Sequence, residues 1–174
     1  MIALFWDDEV GGFYDTSAAP ARLVVRPRDV LDNARPSGGS VAAEVLLKLA
    51  IITGSEDYRI KATIPLATLT ELMARAPAGT GHWLAALDFY VSSPKEVGII
   101  GPRNDPATEA LLQTVNANFH PNKVLVGAEI SSDYALPLLE GRGMIDSKPT
   151  AYVCQNYACQ LPVTTPEDLN SQLA

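Results

Sequence analysis

Residues 96–128, EVGIIGPRNDPATEALLQTVNANFHPNKVLVGA, change hydrophobic period twice, and this change constrains the fold more than any other stretch. Val97, Ile99 and Ile100 form a short apolar run closed by Gly101 and Pro102, and residues 124–126 form a second run. Between them Ala107, Leu111, Leu112, Val115 and Phe119 recur at helical spacing. Asp105 is placed to cap that helix, Pro106 suits its first turn, and His120-Pro121 stops it. The pattern is one strand–helix–strand unit with a parallel strand pair. Such a pair needs both faces covered, so the rest of the chain must supply apolar material.

The material is there: 47% of the 174 residues are hydrophobic and 19% charged, enough for a core in one domain or two small ones. The net charge of -7 is spread evenly, with 8 basic against 11 acidic residues over 1–94 and 5 against 9 over 95–174. With no basic stripe, no nucleic-acid partner is expected. The chain has no apolar run of the roughly 20 residues that a spanning helix requires, and no charged-then-apolar leader, so no membrane partner is expected and the expectation is a cytoplasmic protein.

Residues 5–15, FWDDEVGGFYD, place aromatics on both sides of an acidic turn. Gly11 and Gly12 permit positive φ, which lets the chain double back and bring Trp6 near Phe13. Residues 1–4 run apolar into that turn as the end of a longer helix would, which points to chain upstream. Residues 23–25 read as extended. The following stretch, RPRDVLDNARPSGGS, gathers Arg26, Arg28, Arg35, Asp29, Asp32 and Asn33 beside a Pro-Ser-Gly-Gly turn. Forked arginine donors beside carboxylates suit a polyol or an anion. The alternative is that the charges pair with one another while Ser37 or Ser40 caps the next helix. The glycines make no phosphate loop, because no Gly-Lys-Ser/Thr follows.

Three helices are expected next. Val41, Val45, Leu46, Leu47, Leu49, Ile51 and Ile52 cover nearly the whole circumference of the first, which ends at Gly54, and Glu44 and Lys48 give it a polar edge. The second is capped by Ser55, buries Tyr58, Ala62, Leu66, Leu69, Met73 and Ala76, and kinks at Pro65. The third spans residues 82–91 with Trp83, Leu84, Leu87 and Val91 inward. His82 has the intrinsic pKa of an acid or base, but no partner can be named for it. Short connections make the three antiparallel neighbours, as in helical hairpins.

Beyond the strand–helix–strand unit, residues 132–139 read as a short helix, 150–154 as a third strand, 155–158 as a turn and 159–163 as an extended return. Thr165, Pro166, Glu167 and Asp168 open a final helix. The spacing of Cys154 and Cys159 differs from the Cys-x-x-Cys of thiol exchange or a zinc knuckle. They can bridge if their Cα atoms come within about 7 Å. In the cytosol the expected state is two thiols at the rim of a sheet. Neither His82 nor His120 shows ligand spacing, so no metal is expected.

Three motifs in this order, FWDDEVGGFYDT, RPRDVLDNARPSGGSVAAEVLLKLA and PTAYVCQNYACQLPVTTPEDL, resemble the C-terminal part of the YyaL-like, spermatogenesis-associated thioredoxin-like protein family. The resemblance implies a longer parent with an N-terminal thioredoxin-like domain and a central helical toroid similar to six-hairpin glycosidases. On that basis the fold class is mixed α/β. Residues 1–94 form the last antiparallel hairpins of an α/α toroid, and residues 95–174 a two- or three-layer α/β module with a short, mainly parallel sheet. Gly39 stands where the family pattern has Asn, so any hydrogen bond from that side chain is lost.

The first functional expectation is a non-catalytic segment that completes the toroid, has the parent's N-terminal domains as partners, needs no cofactor, and self-associates when alone. The second is part of a site for a sugar-like molecule. Its catalytic candidates are Asp15, Asp29 and Asp32, its binding candidates Arg26, Arg28, Asn33, Ser37, His82 and Trp83, and in the complete parent Asp7 would line the toroid mouth with these acids, the two arginines and Asn33. The third is thiol exchange between Cys154/Cys159 and the thioredoxin-like domain.

Overall fold

Gly11, at φ +69°, turns the chain between strands β1 (Trp6–Asp7) and β2 (Gly12–Phe13), which pair antiparallel after a one-turn helix α1 (Ile2–Phe5). The register sets Trp6 opposite Phe13, and their rings meet edge-on at 5.0 Å, as the aromatic-flanked turn requires. This computed structural model describes residues 1–18, 25–129, 136–156 and 158–174. Two compact units divide the chain: Met1–Ala50 with Ser55–Val91, and Ile51–Gly54 with Ser92–Ala174. Of the extended run expected at 23–25, residues 23 and 24 lie outside the described residues.

Helix α2 (Gly38–Thr53) starts where the Ser37 hydroxyl accepts the Ser40 N–H at 3.2 Å and stops before Gly54, whose φ of +67° ends it. Ser55 caps α3 (Glu56–Thr68) by accepting the Tyr58 N–H. The bend expected at Pro65 becomes a break at Leu69, after which α4 (Thr70–Arg75) begins. There the hydroxyls of Thr68 and Thr70 bond back onto the Ile64, Leu66 and Ala67 carbonyls, a competition that bends helices. Helix α5 (Gly81–Val91) buries Trp83, Ala86 and Phe89 in place of the expected Trp83, Leu84, Leu87 and Val91, and Val91 is 70% exposed. The indole N–H of Trp83 donates to the Val30 carbonyl at 2.9 Å and fixes the rotation of the helix, which turns Ala86 and Phe89 inward.

In the second unit, β3 (Lys95–Ile100) and β4 (Lys123–Ala128) pair parallel around α6 (Pro106–Ala117), and the Asp105 carboxylate caps that helix through the Ala107 N–H. Strand β5 (Thr150–Gln155) lies antiparallel to β3 and is joined by a tight turn to β6 (Ala158–Cys159), giving the order β4-β3-β5-β6. The sheet is therefore mixed, with one parallel pair and two antiparallel pairs, and not mainly parallel. A two-residue connection can only join antiparallel strands, and Asn156 supplies the positive φ that this turn needs. Helices α6 and α7 (Pro166–Leu173) cover one face through Leu111, Val115, Leu169 and Leu173 on Val97, Ile99, Ala151 and Val153. Leu136 and Leu139 pack on the other face, beside Ile100, Ala128 and Tyr152. Lys95 and Lys123, side by side in the register, escape repulsion by planting their ammonium groups on the C-terminal carbonyls of α7 and α6.

Phe119 is 89% exposed, not inward. Helix α6 ends at Ala117, and Asn118 is extended, so Phe119 leaves the helical register. Within the expected helix over 132–139, residues 132–135 lie outside the described residues, and Pro137–Leu139 forms a 3-10 turn. Buried Gly101 follows β3, and a Cβ there would lie 2.4 Å from Thr108 Oγ1 and 2.8 Å from Pro149 Cβ. Since the proline ring has little freedom to yield, Gly101→Ala should cost about 2 kcal/mol in chemical denaturation, without a change in slope.

Candidate functional site

Asp32 is the most heavily engaged polar side chain of the candidate set. Its Oδ1 accepts the Ser37 N–H and the Ser40 hydroxyl, both at 2.8 Å, and its Oδ2 accepts the His82 N–H at 2.8 Å and the Trp83 N–H at 3.3 Å. One carboxylate thus ties the entry of α2 to the first turn of α5, where the exposed helical N–H groups favour negative charge. Burial alone would raise its pKa, but the donors from Ser37, Ser40, His82 and Trp83 outweigh it and hold the carboxyl below its ordinary value. A carboxylate so occupied has no lone pair well placed for proton transfer to a substrate, and its place in the fold is that of a brace.

Asp15 and Asp29 do share a surface. With Asn33, Arg35 and Ser37 they line an open cleft of about 470 Å³. Asp15 Oδ2 accepts the Asp29 N–H at 2.7 Å, and the Asp29 carboxylate accepts from Leu31 N–H and Asn33 Nδ2. Arg26 and Arg28 turn elsewhere. Arg26 stacks on the Tyr14 ring at 3.8 Å and donates to the Leu4 and Thr16 carbonyls, while Arg28 pairs with Asp7 at 3.3 Å. The hydrogen bond from Tyr14 is the main cause that holds the Asp7 carboxyl low. Within the loop's own polar set the bond is that of Asn33 to Asp29, whereas Arg28 takes its carboxylate partner, Asp7, from outside the loop.

His82, for which the sequence names no partner, has one: its Nε2 lies 2.9 Å from Glu44 Oε2, and Glu44 also pairs with Lys48. Burial tends to raise the Glu44 carboxyl, yet Lys48 and His82 hold it low. The signal available in the sequence was the Glu44/Lys48 edge of α2. Trp83 is core at 2% exposure. A Cβ at Gly39 would lie 2.9 Å from its Cζ2, so the missing side chain opens the space in which the indole sits.

Cys154 and Cys159, expected as two thiols, form a disulfide. The hairpin sets them directly opposite, with Cα atoms 3.9 Å apart, which is why the pair forms. Arg142 Nη2 donates to Cys154 Sγ at 3.0 Å and Cys159 Sγ at 3.4 Å. Nothing in the spacing of the chain marks Arg142, apart from its place between Gly141 and Gly143. Among the described residues no group of three or more His, Cys, Asp or Glu is placed to hold a metal, and no helix is long and apolar enough to cross a membrane.

By its sequence this mixed α/β chain is homologous to the C-terminal part of spermatogenesis-associated protein 20. Over 98% of its length it is 36% identical to spermatogenesis-associated protein 20 of Homo sapiens and 34% identical to those of Rattus norvegicus and Mus musculus. An uncharacterized protein of Caenorhabditis elegans is 25% identical over 95% of the chain. The chain spans 22% of the length of each of these relatives. No family model and no solved structure matches it.

Proposed function

We propose that this chain is a non-catalytic C-terminal portion of a longer cytoplasmic protein, whose helical unit closes a helical toroid formed by the parent's preceding residues. The observation that carries this reading is the outer surface of the helices. Val41 and Val45 on α2 are each 40% exposed, and Ile60 and Ile64 on α3 are 44% and 38% exposed. Each is an i,i+4 aliphatic pair, the spacing by which a helix seats against a neighbour. Relatives more than four times as long supply the length from which such neighbours can come. Hydrogen exchange tests it. Amides of α2 and α3 should exchange at least tenfold more slowly in the full-length parent than in this chain alone, because docking adds protection that the isolated unit lacks. Equal exchange in the two would contradict it.

A second reading, sugar binding without catalysis by this chain alone, is favoured by the shared cleft of Asp15, Asp29 and Asn33. Calorimetric titration of the parent with neutral disaccharides tests it, with binding lost in Asp15→Ala and retained in a Glu71→Ala control.

A further inference from the structure

We propose that Cys154–Cys159 is a thiol–disulfide exchange site in which Cys159 is the sulfur attacked, Cys154 the leaving group, and Arg142 the cation that receives the leaving thiolate. This goes beyond the toroid reading and rests on different residues. Cys159 is exposed on the short edge strand β6, whereas Cys154 is 2% exposed on β5, so access alone directs an incoming thiolate to Cys159. Nη2 of Arg142 is closer to Cys154 Sγ, the buried sulfur on which charge would appear.

The guanidinium is held in place from both sides. Tyr152, which it overlies at 5.2 Å, donates its hydroxyl to the Gly143 carbonyl and accepts the Gly143 N–H, which pins the loop that carries Arg142. Opposite Tyr152 in the register is Gly98, where a Cβ would lie 3.3 Å from Nη1 of Arg142, so the missing side chain makes room for the cation over the sheet. Nη1 itself is buried and donates to no acceptor among the described residues.

Disulfide sulfur is a weak acceptor and a thiolate a strong one. A half-buried cation that donates to two neutral sulfurs therefore gains more from the reduced state than from the oxidised one. Burial lowers the arginine's pKa, against the charge of Glu96, in keeping with a cation that lacks a full counter-ion. Glu96 faces Cys154 across β3 and β5, and burial pushes its carboxyl up despite the attraction of Arg142.

The electrons come from a dithiol, either a small one or a protein with paired cysteines. Its thiolate forms a bond to Cys159 Sγ as the Cys154–Cys159 bond breaks, and the bonding pair leaves on Cys154 Sγ beside Arg142. The second sulfur of the donor, after losing its proton, attacks the donor sulfur of the mixed disulfide and displaces Cys159 as a thiolate. The protein's disulfide gains two electrons and the dithiol, now a disulfide, loses two. Of the two protons released, one goes to Cys159 and one to solvent.

Reduction of the oxidised 174-residue chain by dithiothreitol, followed by alkylation and mass spectrometry, tests the proposal. Arg142→Gln should slow reduction about tenfold, and Arg142→Lys, which keeps the charge without the fork, by less. Gly98→Ala, which crowds the guanidinium from the neighbouring strand, should slow it as well and provides the readout if Arg142→Gln fails to fold. In glutathione buffers the midpoint of Arg142→Gln should move in the reducing direction, and the mixed disulfide with glutathione should map to Cys159. Unchanged or faster reduction in both Arg142→Gln and Gly98→Ala, or a mixed disulfide on Cys154, would overturn the proposal.

Discussion

Asp32→Ala should destabilise the helical unit by about 3 kcal/mol, because it removes the acceptor that serves the starts of two helices at once. Four donors lose their partner together, and three of them, on Ser37, Ser40 and Trp83, belong to buried residues. Asp32→Asn retains one carbonyl oxygen but turns an amide toward the other donors, so about half that loss is expected. Urea denaturation of the three proteins measures both. The pH dependence has a definite sign. The folded carboxyl sits below its unfolded value, so its stabilisation is complete above roughly pH 4 and is lost as pH falls through the folded pKa. Asp32→Asn should flatten that part of the acid limb, where the wild type steepens. A variant as stable as the wild type at pH 7 and equally acid-sensitive would contradict the bracing role.

Trp83→Ala is expected to cost about 4 kcal/mol, the largest effect of any single truncation in the helical unit. The indole is 2% exposed, stands over Gly39 at the start of α2, and donates to the Val30 carbonyl. Truncation removes the ring, leaves a cavity between α2 and α5, and strands that carbonyl. Trp83→Phe fills most of the space and loses only the donor, so it should recover more than half of the stability. Thermal unfolding followed by circular dichroism separates the two. Equal losses would mean that the hydrogen bond, rather than the packing, dominates.

Local chemistry made several elements legible in the sequence. Asp105, Ser55 and Thr165 cap where their side chains and the following periodicity place them, because a cap depends on residues within one turn of itself. The strand–helix–strand unit was legible for the same reason, its period changing at residues that also stop chains. Side-chain facing at helix ends was less so. Val91 and Phe119 follow the helical spacing on paper, but the first is set by the long-range Trp83–Val30 bond and the second by the end of α6. The candidate acids illustrate the same divide. Asp32 reads like Asp15 and Asp29 in the loop motif, and only the partner fifty residues away, at His82, distinguishes brace from cleft. Arg142 over the cysteines was invisible because its position depends on a glycine in another strand.

The central claim is that the helical unit carries aliphatic surface meant for neighbours it does not contain. Sedimentation velocity over a wide concentration range tests it most directly. The chain alone should sediment as a concentration-dependent mixture of monomer and larger species, and Val41→Lys with Ile60→Lys should return it to monomer without altering its circular dichroism. A wild-type chain that stays monomeric at high concentration and binds no apolar dye would contradict the claim.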